Sequence, residues 1–386
     1  MRLRRGHGIT AALGVSAVLA IIDLLWSSTL HYKLAQPDFY VYYLAARLGR
    51  AHGWAAIYDP ALFLPPVTAA VGKPLPYLNP PELAWLVTPL SFLAYPLAAW
   101  IWTGLLAAAF VLVWCLAAPG RGIVRLIHGL GAAVLLPVFV GVLFGQVSLL
   151  VVAAVAFAWW LLSRGRPWLA GLALSALVLK PQIAFLVPLA LLLAGYGRVF
   201  LAWVAVSVPL AVITLLVTGT GVLHQISRSL HTVSGVPGPI QSSLLRQLPL
   251  PVAAIGIAVV LGASVLILWR ERGSGPSRPI AIGLISSVLV SPYVNFYDLS
   301  ALVLAAWLIL GTNPPRWQRA VTLGMYLPLY GAPIWPLVTL ACLCGWLLSL
   351  AAPTLNVSNA RLALKRRPRG PTGPPRKQGR EIERGI

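Results

Sequence analysis

Few side chains in this sequence could do chemistry, and they are unevenly placed. The 386 residues hold 29 Lys/Arg but only 8 Asp/Glu. Five of the acids, Asp23, Asp38, Asp59, Glu82 and Asp298, fall at or near one end of the long apolar runs. The two longest connections, 29–94 and 219–249, emerge at that same end. Asp38, Gln146, Lys180, Ser291, Asn295 and Asp298 all stand at the outer ends of the helices that the runs imply. Each has a plain structural reading beside a chemical one. Asp38 follows Pro37 and is a good N-cap for a helix over about 39–52, in which Phe39, Tyr42, Tyr43 and Ala46 repeat at helical spacing. Asp298 reads as a cap for a helix over 299–312, and that role is preferred to a catalytic one. Gln146, in Gly-Gln, suits a hydrogen bond between helices. Lys180 precedes Pro181 between two short runs; it either snorkels from a helix end or presents a cation to a lipid phosphate. Arg228, His231 and Arg246 make 219–249 cationic, either a solvated loop or a phosphate contact. Asp23, inside the first run, is costly there unless packed or snorkelling. There is no Asp-x-Asp, no His-x-x-x-His and no close carboxylate pair, so no metal and no cofactor are expected.

The elements that must position these residues are membrane helices. Apolar residues make up 59% of the chain and charged ones 10%, against about 25% charged in soluble domains. Mean hydropathy is +0.84. Such a composition cannot cover a water-facing surface, so an all-α polytopic membrane protein is expected. Apolar runs lie at 9–28, 95–117, 126–143, 147–163, 167–179, 183–196, 199–218, 250–269, 279–291, 298–312, 318–332 and 335–352, giving about 12 transmembrane helices. The first, behind Met1-Arg-Leu-Arg-Arg, is 20 residues long and reads as a retained signal-anchor. The segment 29–94 is expected to carry juxtamembrane helices at 39–52 and 81–93, the former lying along the interface. With the N-terminus cytoplasmic, 22 of the 29 basic residues fall on the cytoplasmic side. Both termini are therefore placed in the cytoplasm and the loops 29–94 and 219–249 in the periplasm. The net charge of +21 is then an orientation signal, not a nucleic-acid footprint. Residues 1–353 form the transmembrane domain, and 354–386 a basic, Pro/Gly-rich disordered tail. Cys115, Cys342 and Cys344 read as buried small hydrophobes.

Four segments in order carry a resemblance. They are Asp38-Phe-x-x-Tyr-Tyr-x-Ala-Ala with Ile57-Tyr-Asp-Pro and Tyr77-x-Asn-Pro-Pro; Phe144-Gly-Gln-Val-Ser-Leu-Leu; Gly171 through Lys180-Pro-Gln; and Leu289-Val-Ser-Pro-Tyr-x-x-x-Tyr-Asp-Leu. Together, over about 36–300, they resemble glycosyltransferase family 87, membrane mannosyltransferase-like enzymes of the GT-C fold that use polyprenyl-phosphate sugars. The resemblance implies an inner-membrane hexosyltransferase, with mannose as the leading sugar, acting on a lipid or glycan acceptor at the periplasmic face. It implies that Asp38 serves as the base in an inverting displacement. It further suggests Lys180, Arg228 and Arg246 at the donor phosphate, with Tyr42, Tyr43, Gln146, Ser291, Asn295 and Asp298 as further site candidates. A His common in the family's Ser-Pro segment is missing, Asn295 and Tyr297 standing there instead. Two other readings stay open: a twelve-span secondary transporter, and a lipid-linked glycan polymerase or ligase using diphosphate donors.

Overall fold

Proline and glycine decide where the apolar runs become helices. A computed structural model describes residues 15, 16, 18–25, 32–219 and 243–351, and among these every regular element is helical. In chain order they are α1 (18–25), α2 (Pro37–His52), α3 (Pro60–Val71), α4 (Pro81–Val87), α5 (Tyr95–Ala117), α6 (Ile123–Ala133), α7 (Leu136–Leu143), α8 (Ser148–Ser163), α9 (Pro167–Leu174), α10 (Val187–Leu193), α11 (Gly197–Thr218), α12 (Leu244–Gln247), α13 (Leu250–Arg270), α14 (Ser277–Val290), α15 (Ala301–Gly311), α16 (Arg316–Gly324), α17 (Tyr326–Tyr330) and α18 (Pro336–Ser349). Arg228 and the tail 354–386 lie outside the described residues, as does most of the first apolar run.

Helices α5, α11 and α13, of 23, 22 and 21 residues, are long and apolar enough to cross a membrane alone. Their faces turn outward: Trp100, Leu216 and Ile255 are exposed apolar side chains, as lipid contact requires. A fourth crossing is formed if α6 and α7 act together across their 60° bend. Pro137 at the start of α7 supplies the break, since it lacks an N–H and clashes with the preceding turn. Other apolar runs become helices of 10–17 residues, among them 148–163, 277–290 and 336–349, while 183–196 and 318–332 hold only shorter ones. Centre and periphery divide sharply. Every residue from Arg278 to Val290 in α14 and from Ala301 to Leu310 in α15 is buried. This pair is the most completely buried part of the core, and α10, α13 and α18 pack against α14.

Several expectations need correction. Helix α2 is more deeply packed than a half-polar helix: Phe39, Val41, Tyr42, Tyr43, Leu44, Ala45 and Ala46 are all buried, and it packs against α3, α4 and α5. Its aromatic side chains Phe39, Tyr42 and Tyr43 join the hydrophobic core. The second outer-loop helix stops at Val87 and tightens into a 3-10 turn, Thr88–Phe92. Helix α3 is new. Its signals were Asp59, which caps it by accepting the Ala61 N–H at 2.9 Å, and Pro60 in the first turn; Pro65 and Pro66 inside it obscured the pattern. Cys115 is exposed on α5, not buried. Asp23 packs: it is fully buried and accepts the Tyr330 hydroxyl at 2.6 Å.

Candidate active site

Two chain breaks build the site. The first follows α7, where Gly145 turns in the left-handed region (φ 73) and delivers Gln146 to the interior. A Cβ on Gly145 would come within 2.6 Å of the Phe39 Cβ, so close packing as well as backbone conformation calls for glycine there. The second lies between α9 and α10. Before Pro181, Lys180 leaves the helical region (φ −157, ψ 75), the helix cannot continue, and the Lys180 side chain is buried.

The N-terminus of α2 docks on the first break. Gln36, not Asp38, occupies the N-cap position, with left-handed backbone (φ 56) and no capping side chain. The Phe144 carbonyl takes over that work, accepting the backbone N–H groups of Asp38 at 3.1 Å and Phe39 at 3.2 Å. The Gly145 carbonyl in turn accepts the Trp102 indole N–H at 2.8 Å, and the Phe39 and Trp102 rings stack at 5.1 Å. The reading of Asp38 as an N-cap is therefore corrected: a neighbouring carbonyl satisfies the helix end, and the carboxylate is left for other work.

That carboxylate enters a connected network. Its Oδ2 accepts from the Gln146 Nε2 at 2.6 Å. The Gln146 Oε1 accepts from the Tyr42 hydroxyl at 3.0 Å and from the Lys180 Nζ at 2.7 Å. Lys180 pairs with Asp298 at 2.5 Å and donates to the Ser148 Oγ at 3.1 Å; Ser148 donates to the Asp298 Oδ1 at 2.7 Å. The Lys180 ammonium also lies 4.9 Å from the Tyr297 ring centroid. Asp298 is not the N-cap of a helix over 299–312: it is the third residue of the 3-10 turn Phe296–Ser300, where its Oδ2 accepts the N–H of the N-cap Asn295 at 3.1 Å in a reciprocal capping box. Its other oxygen carries the ion pair, so capping and electrostatic roles coexist in one side chain.

The expected residues thus divide. Asp38, Tyr42, Gln146, Lys180 and Asp298 are joined directly. Asn295 stands one bond away and donates to the Tyr293 hydroxyl at 2.9 Å and to the Tyr297 hydroxyl. Ser291 shapes the following turn through the Tyr293 carbonyl at 3.1 Å. The Arg246 Nε donates to the Pro292 carbonyl of that turn at 3.2 Å. Tyr43 points elsewhere, donating to the Leu93 carbonyl at 2.8 Å. Lys180, expected to face a lipid phosphate, has its ammonium surrounded by Asp298, Gln146 and Ser148, with only 3% of the residue exposed. Sequence reasoning missed Ser148, two residues beyond Gln146, and the ring of Tyr297. The Gln-x-Ser spacing was the only signal for the former.

Asp38 is half-buried. Loss of water around its carboxyl raises its pKa from the usual 3.8 to about 6, against the lowering pull of the Gln146 hydrogen bond and the Lys180 charge; the charge of Asp298 adds to the rise. At neutral pH it is ionised yet a far better proton acceptor than an exposed aspartate. Among the described residues its Oδ1 takes no hydrogen bond, which leaves one oxygen for a substrate hydroxyl. Among the same residues no group of three His, Cys, Asp or Glu side chains could hold a metal ion. The positive charge between the two carboxylates is the chain's own ammonium.

A family model, Glycosyltransferase family 87, matches residues 77–292, more than half of the chain. The chain belongs to glycosyltransferase family 87. It is a glycosyltransferase with apolar, membrane-embedded helices. The family 87 match spans Gln146, Ser148, Lys180, Arg246 and Ser291; Asp38 lies before it and Asn295 and Asp298 after it. No curated protein and no solved structure matches the chain.

Proposed function

We propose that this family 87 enzyme transfers a hexose, with mannose the first candidate, from a polyprenyl-phosphate sugar to a hydroxyl of a lipid or glycan acceptor. The observation that carries the reading is Asp38: a carboxylate with one oxygen fixed by Gln146, the other open, and a pKa raised to about 6. An acceptor O–H bound at Oδ1 gives its proton to Asp38 as its oxygen bonds to the anomeric carbon. The bond from that carbon to the phosphate oxygen breaks, and the lipid phosphate leaves with the electron pair. One base on one face of the sugar inverts the anomeric centre. A phosphate monoester leaving group needs cationic support but no divalent ion. Arg246, at the turn that leads into Asn295, is the described cation suited to that task, and Arg228 belongs to the same connection in sequence. Tyr42 lines the base, while Asn295 and Tyr293 border the Arg246 side.

In this reading the protein is a GT-C bundle of about 12 spans in the inner membrane, with both termini cytoplasmic and the site periplasmic. The pairing of short helices about broken junctions and the cytoplasmic weight of basic residues support it. Residues 1–353 are then the catalytic domain and 354–386 a basic cytoplasmic tail.

The test is a membrane assay with radiolabelled polyprenyl-phosphate mannose. Label should pass to a lipid or glycan, and the product should have the anomeric configuration opposite to the donor's. Label passing only from a diphosphate-linked donor would sink the monophosphate reading in favour of a polymerase or ligase.

A further inference from the structure

Two carboxylates and one ammonium share this site, and the ammonium is not where a substrate could easily use it. Lys180 and Asp298 are 3% and 0% exposed and touch at 2.5 Å. A cation already neutralised at that distance has little charge to offer an incoming phosphate. It does reach the base, through a single residue. An ammonium can only donate, and so can the Tyr42 hydroxyl proton; both meet the same end of Gln146. That end must therefore be the amide oxygen, and the NH₂ end must face Asp38. The side-chain amide is thereby a dipole of fixed sense, oxygen toward the ammonium and N–H toward the carboxylate.

We propose that the buried Lys180–Asp298 pair is a positioning element for Asp38: acting through Gln146, it fixes the carboxylate's orientation and its charge state. Lys180 is a positioning residue in this scheme, and not a ligand of the donor phosphate. The proposal rests on Asp38 as the base of the transfer reaction. The two members of the pair act on Asp38 in opposite senses. The ammonium favours its ionised form and the Asp298 carboxylate disfavours it, both acting on a carboxyl whose proton affinity loss of water has already raised. The other titratable groups facing Asp38 from the surrounding elements are phenols, Tyr32, Tyr42, Tyr95, Tyr293 and Tyr297. These are neutral across the acid range, with ordinary values near ~10. Among the described residues, then, Lys180 and Asp298 are the charges that can tune it.

The test reads Asp38 directly. In the full-length protein in detergent, the carboxyl C=O infrared band that disappears in Asp38→Asn is titrated against pH. Asp298→Asn leaves the ammonium to Asp38 alone, and the midpoint should fall by on the order of one pH unit. Lys180→Met leaves two carboxylates without a cation, and the midpoint should rise by a similar amount. Because a lone buried Asp298 could prevent that variant from folding, the Lys180→Met/Asp298→Asn double variant is included. Its midpoint should return toward the parent value. It should also bind radiolabelled polyprenyl-phosphate mannose as tightly as the parent. Loss of donor binding in the folded double variant would overturn the proposal and return Lys180 to the phosphate. So would an Asp298→Asn midpoint that stays in place or rises. Wild-type turnover in Asp38→Asn would instead remove the base itself, a failure of the transfer mechanism that the donor-binding and midpoint results keep separate.

Discussion

Replacing Gly145 by alanine probes the joint between α2 and the α7–α8 turn. Two costs arise there, and a second glycine separates them. Gly145 and Gly165 have nearly equal backbone, φ 73 and φ 72. An alanine at either pays ~1–2 kcal/mol for left-handed backbone. At Gly165 nothing lies within 4 Å of the added Cβ, so the backbone cost is the whole cost. At Gly145 the added Cβ meets the Phe39 Cβ at 2.6 Å, with the Gln36 side chain also within 3.3 Å. Relief requires that contact to open by about 1 Å, adding ~1–3 kcal/mol of overpacking. The total for Gly145→Ala is therefore ~2–5 kcal/mol, against ~1–2 for Gly165→Ala. Phe39 is the next residue after Asp38, so the relief displaces the base from Gln146. A misplacement of ~1 Å can cost roughly 10²-fold in rate. Thermal unfolding in detergent and transfer rates on both variants make the comparison. Gly165→Ala should lose a little stability and keep its rate; Gly145→Ala should lose more stability and most of its turnover. If the two variants unfold alike and both turn over normally, the docking of α2 on Phe144-Gly145 does not position the base.

Asp38→Asn keeps the shape of the side chain but cannot accept a proton, so transfer should fall by ~10²–10⁴ while the protein stays folded; wild-type turnover would show that Asp38 takes no proton. Because a base must be ionised, kcat/KM in the parent should fall as pH drops below about 6, the value to which burial raises Asp38, and a limb near pH 4 would contradict that environment. Transfer should survive EDTA, since among the described residues no group of three His, Cys, Asp or Glu side chains could hold a metal ion and Arg246 stands near the site as a cation for the leaving phosphate; complete loss restored by Mg²⁺ would refute a metal-independent site.

Local pattern carries local information, and that explains what could be read from the chain. The deficit of charge fixed the membrane class, because a polar solvent leaves no other use for so many apolar residues. The run 95–117 became α5 with the same bounds, and 250–269 became α13 to within one residue, since each is continuous and sharply ended. Asp38, Gln146, Lys180 and Asp298 were legible as candidates, because a polar residue at the end of an apolar run stands out; Tyr42 came through the family resemblance. Their partners were not. Gln146 meets Asp38 across 108 residues and Ser148 meets Asp298 across 150, distances over which no periodicity holds. From sequence, Asp38 before a helix was indistinguishable from a cap; only the arrival of the Phe144 carbonyl at the helix end, a contact between remote segments, freed its carboxylate. Lys180 beside a proline looked like an open cation for the same reason. Its ion pair exists because tertiary packing brings the loop before α15 against the break after α9, where a buried ammonium must find a carboxylate or lose its charge.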